Sequence, residues 1–234
     1  MKHFVTSGCS FSQNGKTAWT HHFNKFLESK YKNGNYKLHN VAIPALGNDL
    51  ISFNCMKVVQ SLLNDGVDSK DIKVIIQWSG LNRPSIYCGY ETSEQQNVDF
   101  QELNNISHFG IKNDNPGYKF IHPAGRIKFE SFWENFFKNY FTPPQAFRHT
   151  LDCILKTQWY LKSVKVDHKM FTAWDIFTTS DKKNKNILDR LFGDGDKTNQ
   201  FAEKIYHNKK NKLYKDIFPQ ISHMWDMIDW DNFW

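Results

Sequence analysis

The chain has 234 residues, of which 40% are hydrophobic and 16% aromatic. That excludes global disorder and is enough for one sizeable core, so a single domain over 1–234 is the expectation. The net charge of +6 invites a nucleic-acid reading. The lysines are scattered, however, apart from Lys182-Lys183-Asn184-Lys185 and Lys209-Lys210-Asn211-Lys212. Both runs lie in Asn-rich polar stretches without interleaved aromatics, so solvated surface is favoured over a phosphate track.

Lys2 to Ser7 reads as a short buried strand ended by Gly8-Cys9-Ser10. Thr17 to Tyr31 has helical spacing, with Trp19, Phe23, Phe26 and Leu27 on one face. Tyr36 to Ala42 reads as a second strand. Gly47-Asn48-Asp49 opens a helix to about Asn64, with Asp49 as its expected cap and Ile51, Val58, Val59, Leu62 and Leu63 as its apolar stripe. Ile72 to Trp78 is a third strand, and Val74-Ile75-Ile76 is apolar on both faces, which suits a central parallel strand. Strand alternating with helix argues for a parallel sheet carrying helices.

Regularity stops after Gly80. Residues 84 to 126 are rich in Asn, Gly, Ser and Pro, too long for an ordinary connection, and read as an inserted loop-rich region. Phe129 to Tyr140 is aromatic at helical spacing, a packing or lid segment. Pro143-Pro144 then starts a longer helix, about Gln145 to Val164. Lys169 to Trp174 reads as a fourth strand. Short helices are expected at Asn184–Phe192, Phe201–Asn208 and Lys212–Ile217.

Cys9, Cys55, Cys88 and Cys153 show no CxxC pair and no metal-ligand spacing, so neither a metal nor a disulfide framework is expected. Gly193-Asp194-Gly195-Asp196 lacks the remaining ligands of a calcium loop and reads as a turn. With Phe4 and Val5 already in a strand there is no signal peptide, and no apolar run approaches the roughly 20 residues of a membrane span. The expectation is a cytoplasmic protein with no membrane partner.

Three loops follow strands, where open parallel sheets collect ligands: Ser7 to Ser12, Pro44 to Asp49 and Ser79 to Arg83. Acyl transfer needs an exposed hydroxyl at a tight strand-to-helix turn, and Ser10 has that position. It also needs hydrogen-bond donors aimed at the developing oxyanion, and the Gly47 amide and the Asn82 carboxamide are of that type. Taken singly, each has a plainer reading: Ser10 as a helix N-cap, Gly47 as a turn glycine, Asn82 as a turn residue before Arg83-Pro84. Their placement after three successive strands favours a site.

Gly8-Cys9-Ser10-Phe11, Gly47 and Gly80-Leu81-Asn82 together resemble the first, second and third blocks of the SGNH/GDSL hydrolase superfamily, in the Gly-Cys-Ser-Phe form seen in phage and bacterial proteins. The resemblance covers residues 3 to 83, and the strand near 169 fits the same fold. It implies a three-layer α/β/α sandwich of flavodoxin-like type and a serine-dependent ester hydrolase. Ser10 would be the nucleophile, and Ser10, Gly47 and Asn82 would form the oxyanion hole. The implied substrate is a small acyl ester or acylated carbohydrate, as for an O-deacetylase, with no cofactor.

Two positions depart from the pattern. Cys9 stands where better-known members have Asp and reads as a small packed residue. Arg83 follows the asparagine where many members have Asp, and reads equally as a substrate contact or a structural ion pair. The family's Asp-x-x-His is absent from the 234 residues, and the aromatic ending Trp230-Asp231-Asn232-Phe233-Trp234 resembles the middle of a longer relative. The expected base is a histidine beyond Trp234. Within the chain His223 is the first candidate, with His122 and His168 behind it. The alternative is a non-catalytic binding or virion-associated module that keeps the fold without the base.

Overall fold

The computed structural model describes residues 1–13, 15–31, 34–43, 46–81, 83, 86–89, 118–121, 139–173, 176–179 and 212–234. Its centre is a four-stranded, all-parallel sheet. The strands are β1 (Lys2–Ser7), β2 (Tyr36–Asn40), β3 (Ile72–Trp78) and β6 (Asp167–Thr172), in the order β2-β1-β3-β6. Val5 lies opposite Val74 on one side and His39 on the other, and Ile76 lies opposite Met170. The class is therefore α/β. β1 and β3 occupy the ranges that their apolar runs predict.

Among the described residues three long helices cover the sheet: α1 (Trp19–Lys30), α2 (Asn48–Asn64) and α3 (Pro143–Ser163). Side chains alternate along β1, so Phe4 and Ser7 point to opposite faces. Phe4 meets the Phe23 ring of α1 edge-on at 5.7 Å, and the Ser7 hydroxyl donates to the Ile51 carbonyl of α2. α3 packs along α2. Ser52, Thr157 and the Asn48–Thr150 hydrogen bond lie buried in that seam. α3 begins at Pro143 with Pro144 in its first turn, where the missing N–H groups cost nothing.

Asp49 does not cap α2. The N-cap position is Gly47, and Asp49 sits in the first turn with Oδ1 accepting from the Leu50 amide. The fourth strand of the sheet starts two residues earlier than its apolar pattern suggests, because Asp167 is drawn into the ladder opposite Lys73, with which it forms a 2.7 Å ion pair.

The stretch expected to be irregular contains an antiparallel pair, β4 (Ile86–Gly89) with β5 (Tyr118–Ile121). Each is a short apolar and aromatic run, but 28 residues separate them, so no hairpin signal marks the pair in sequence. A second small antiparallel pair joins β7 (Thr178–Thr179) to β8 (Lys212–Leu213). The helix expected at Lys212 begins instead at Tyr214, as α4 (Tyr214–Ile217), and α5 (Ser222–Asp226) follows a 3-10 turn at Pro219–Ile221. The expected helices at 184–192 and 201–208 and all but the last residues of the one at 129–140 fall outside the described residues.

The C-terminal segment closes over α3. Phe147 is fully buried against the rings of Tyr214, Phe218 and Trp225. Gln158 holds the following turn, accepting from the Asp229 amide at 2.7 Å and donating to the Met227 carbonyl at 3.1 Å. Phe233 then bridges Met170 in parallel beside β6, and the Trp234 amide donates to the Met170 carbonyl at 3.0 Å. Among the described residues no helix is long and apolar enough to cross a membrane.

Candidate active site

β1, β2 and β3 run parallel, so the loops after them emerge at one edge of the sheet. The first two loops touch directly: the Gly8 carbonyl accepts from the Ile43 amide at 3.3 Å. The second and third are joined by Asn48. Its Oδ1 accepts from the Ser79 amide at 2.8 Å and its Nδ2 donates to the Ser79 carbonyl at 3.2 Å.

Ser10 is exposed and begins a short 3-10 turn, Ser10–Ser12. It is not an N-cap: Cys9 holds that position, no side chain caps the turn, and α1 starts only at Trp19 after Ala18. The turn does not continue into an α-helix, and α1 starts two residues after the Thr17 that helical spacing predicts. The physical reason lies in Ser12. Its carbonyl accepts from Thr20 Oγ1 at 3.0 Å and Asn40 Nδ2 at 2.8 Å, so side chains take the acceptor that a continuing helix would use. The buried Ser12 hydroxyl donates to Gln77 Oε1 at 2.5 Å and accepts from Trp19 Nε1 at 2.8 Å. Behind the turn, Cys9 is fully buried, which agrees with a packed residue.

Gly47 is buried, with φ −76° and ψ 163°, an extended conformation open to any residue. A left-handed turn is thus not the reason for glycine here. Its carbonyl receives the Ile51 amide and starts α2, whose first-turn N–H groups have no intrahelical partners. Asn82 lies outside the described residues. Its neighbour Leu81 is buried, and Arg83, half-buried, reaches back with Nη1 to Ser79 Oγ at 3.1 Å.

The histidines distribute unevenly. His168 is the second residue of β6, opposite Val74, and therefore sits toward the end of the sheet away from the three loops. It is buried with Nδ1 on the Val166 carbonyl, and burial lowers its pKa. Its position removes it as a candidate base. His223 is exposed on α5, a helix that packs on α3 and α4. His122 is outside the described residues.

Sequence reading passed over His149, which α3 carries next to Thr150 and so brings to the loop edge. Its Nε2 is 3.9 Å from Asp49 Oδ2 and 3.9 Å from the buried Cys153 Sγ. Burial lowers the His149 pKa, while the nearby Asp49 carboxylate works the other way. Burial also pushes the Cys153 thiol up to about 12, far from the range of a reactive thiolate. The spacing of His149 and Cys153, one helical turn apart, was visible in sequence, but their approach to Asp49 depends on the α2–α3 seam. Asn48 and Ser12 were likewise passed over, although both stand inside the loops that drew attention.

Among the described residues no group of three His, Cys, Asp or Glu is arranged to hold a metal ion. No protein-family model matches the chain, and no curated protein matches it.

Proposed function

We propose that the chain is a serine-dependent ester hydrolase of the SGNH/GDSL type, built as a three-layer α/β/α sandwich. The observation that carries this reading is the exposed Ser10 on a braced turn at the end of β1, at the same sheet edge as the loops that carry Gly47 and Gly80-Leu81. The strand order β2-β1-β3-β6 supports it, since it places the first strand inside the sheet with its loop flanked by the other two.

In this reading Ser10 Oγ attacks an ester carbonyl. A histidine takes the serine proton and returns it to the leaving alcohol, and water then releases the acyl group. The amides of Ser10 and Gly47 and the Asn82 carboxamide donate to the oxyanion. Loss of one such donor typically raises the barrier by about 3 kcal/mol. Arg83, half-buried next to Ser79, is the proposed substrate contact. The substrate class is a small acyl ester, including acyl groups carried on carbohydrate.

Turnover of a short-chain nitrophenyl ester is the test, with Ser10→Ala, His149→Gln and His223→Gln beside the parent chain. The expected result is loss of turnover in Ser10→Ala. Equal rates for Ser10→Ala and parent would remove Ser10 from the chemistry. The two histidine variants address the base: retained turnover in both assigns it to another histidine. A chain that binds acylated glycan without turning it over would favour the second reading, a binding module on the same fold, which the absence of Asp-x-x-His from these residues supports.

A further inference from the structure

Between the second and third loops the Asn48 side chain makes a two-bond connection to Ser79. Asn48 is 1% exposed, and three hydrogen bonds engage its carboxamide. Oδ1 accepts from the Ser79 amide at 2.8 Å, and Nδ2 donates to the Ser79 carbonyl at 3.2 Å and to Thr150 Oγ1 at 3.0 Å. The pair of bonds to Ser79 copies the exchange that two strands make across a ladder, so it fixes direction as well as distance. Asn48 follows Gly47 directly. Ser79 follows the last residue of β3 and leads into Gly80-Leu81. The Thr150 bond ties the same carboxamide to α3. No apolar residue of similar size could supply both a donor and an acceptor here, and its substitution would leave the Ser79 amide and carbonyl buried without partners.

Resting on the acyl-transfer reading, we infer that Asn48 is a positioning residue for the oxyanion site: it sets the spacing between the Gly47 amide and the backbone that enters the Gly80-Leu81-Asn82 segment. Donors for an oxyanion act through placement, and a displacement near 1 Å costs about 100-fold in rate. Asn48 touches no reacting atom. It acts through the loops it joins, so its removal lowers the acylation rate more than it weakens substrate binding.

The experiment compares Asn48→Ala with Thr150→Val. The valine variant loses the bond to α3 but leaves both bonds to Ser79. Ser10 phosphonylation by a fluorophosphonate probe is timed, KM and kcat are measured on p-nitrophenyl acetate, and Tm is recorded for each protein. Asn48→Ala is expected to phosphonylate about 10- to 100-fold more slowly, with KM within about threefold of parent. Thr150→Val, though less stable, keeps its rate within about twofold. A folded Asn48→Ala that reacts at the parent rate overturns the inference. So does a Thr150→Val that is as slow as Asn48→Ala, since the effect then follows stability alone.

If Asn48→Ala does not fold, Asn48→Asp decides. Its ionised carboxylate still accepts from the Ser79 amide but opposes the Ser79 carbonyl. Protonated, it donates as the amide did. Its rate relative to parent is therefore expected to climb as pH falls, and a flat ratio overturns the assignment. A parent chain whose Ser10 takes no label overturns the acyl-transfer reading and this inference together. A labelled parent with unaffected Asn48 variants overturns this inference alone.

Discussion

Lys165 occupies at the end of α3 the place that Gly66 occupies at the end of α2. Both have positive φ, 57° and 83°, and both are followed by the same pair of bonds. The Gly66 and Val67 amides reach the carbonyls of Leu63 and Leu62, and the Lys165 and Val166 amides reach those of Lys162 and Leu161. This is the Schellman arrangement, which satisfies the last carbonyls of a helix and favours glycine at the left-handed position. A Cβ at Gly66 would meet nothing within 4 Å, so its backbone alone makes the difference. Gly66→Ala is expected to lose about 1 kcal/mol, and Lys165→Gly to gain about 0.5–1 kcal/mol. Urea unfolding midpoints check both, and a Lys165→Gly protein less stable than parent would contradict the account.

The turn bearing Ser10 depends on a close approach. A Cβ on Gly8 would lie 2.9 Å from Ser12 Cβ and 3.1 Å from Gln77 Cβ, and closer still to Ser12 Oγ. Ser12 cannot swing aside without breaking its bonds to Gln77 and Trp19. Gly8→Ala is therefore expected to cost about 1–3 kcal/mol. Adding Ser12→Gly, which removes the obstructing Cβ and hydroxyl, should cost less than the two separate losses summed. Strict additivity in thermal unfolding would mean the two positions do not meet.

Much of this is legible in the sequence. The parallel strands are legible because each is a short run followed by a turn; β1 and β3, the apolar ones, keep their predicted ends, whereas β2 and β6 carry Lys, His and Asn or Asp residues and end two residues before the predicted Ala42 and Trp174. The three loops could be named because each follows such a strand. What escaped were relations made by single polar side chains across long sequence gaps. Ser12 meets Gln77 across 65 residues and Asn48 meets Thr150 across 102. A serine or asparagine in a loop offers no periodicity, and its buried partner is fixed only when helices pack. For the same reason Asp49 looked like a cap, although the helix begins two residues earlier than that role requires. His149 was invisible as a neighbour of Asp49 because the α2–α3 seam decides which face of α3 points inward.

That seam yields a third prediction. Ser52 Oγ and Thr157 Oγ1 are 2.6 Å apart, and Thr157 Oγ1 also donates to the Cys153 carbonyl at 2.7 Å. One hydroxyl has one proton, so Thr157 spends its own on Cys153 and Ser52 must be the donor between them. Thr157→Val strands the buried Ser52 hydroxyl and is expected to cost about 1–3 kcal/mol, whereas Ser52→Ala leaves Thr157 with its acceptor and should cost about 1 kcal/mol or less. The double variant should fall well short of the sum. Chemical denaturation of the four proteins measures the cycle, and an inverted order of the single variants would reverse the donor assignment.

His3 and His39 give the fold a pH dependence whose sign can be worked out. His3 Nδ1 lies 3.1 Å from His39 Nε2, with the rings 11° from parallel, so one ring donates to the other. Burial first, then the charges of His3 and Lys37, lowers the His39 pKa from 6.5 to about 4. His3 is lowered too, by burial first and then by Lys37 and the N-terminus, with Asp71 opposing. In the unfolded chain both rings take up protons as pH falls through about 6.5, while in the folded chain His39 resists until about pH 4 and His3 also protonates below its ordinary value. The unfolded state thus binds more protons in that window, and stability falls as pH falls across it. Because His39 is only half-buried, the loss is discounted for solvent to about 1–2 kcal/mol. His39→Gln removes the larger of the two titrations and can still offer an acceptor to His3. Its urea midpoint should therefore vary less than that of the parent between pH 6.5 and 4. Parallel curves for the two proteins would show that the acid loss arises elsewhere, at carboxylates such as Asp71 and Asp167, whose lysine partners hold their pKa values down.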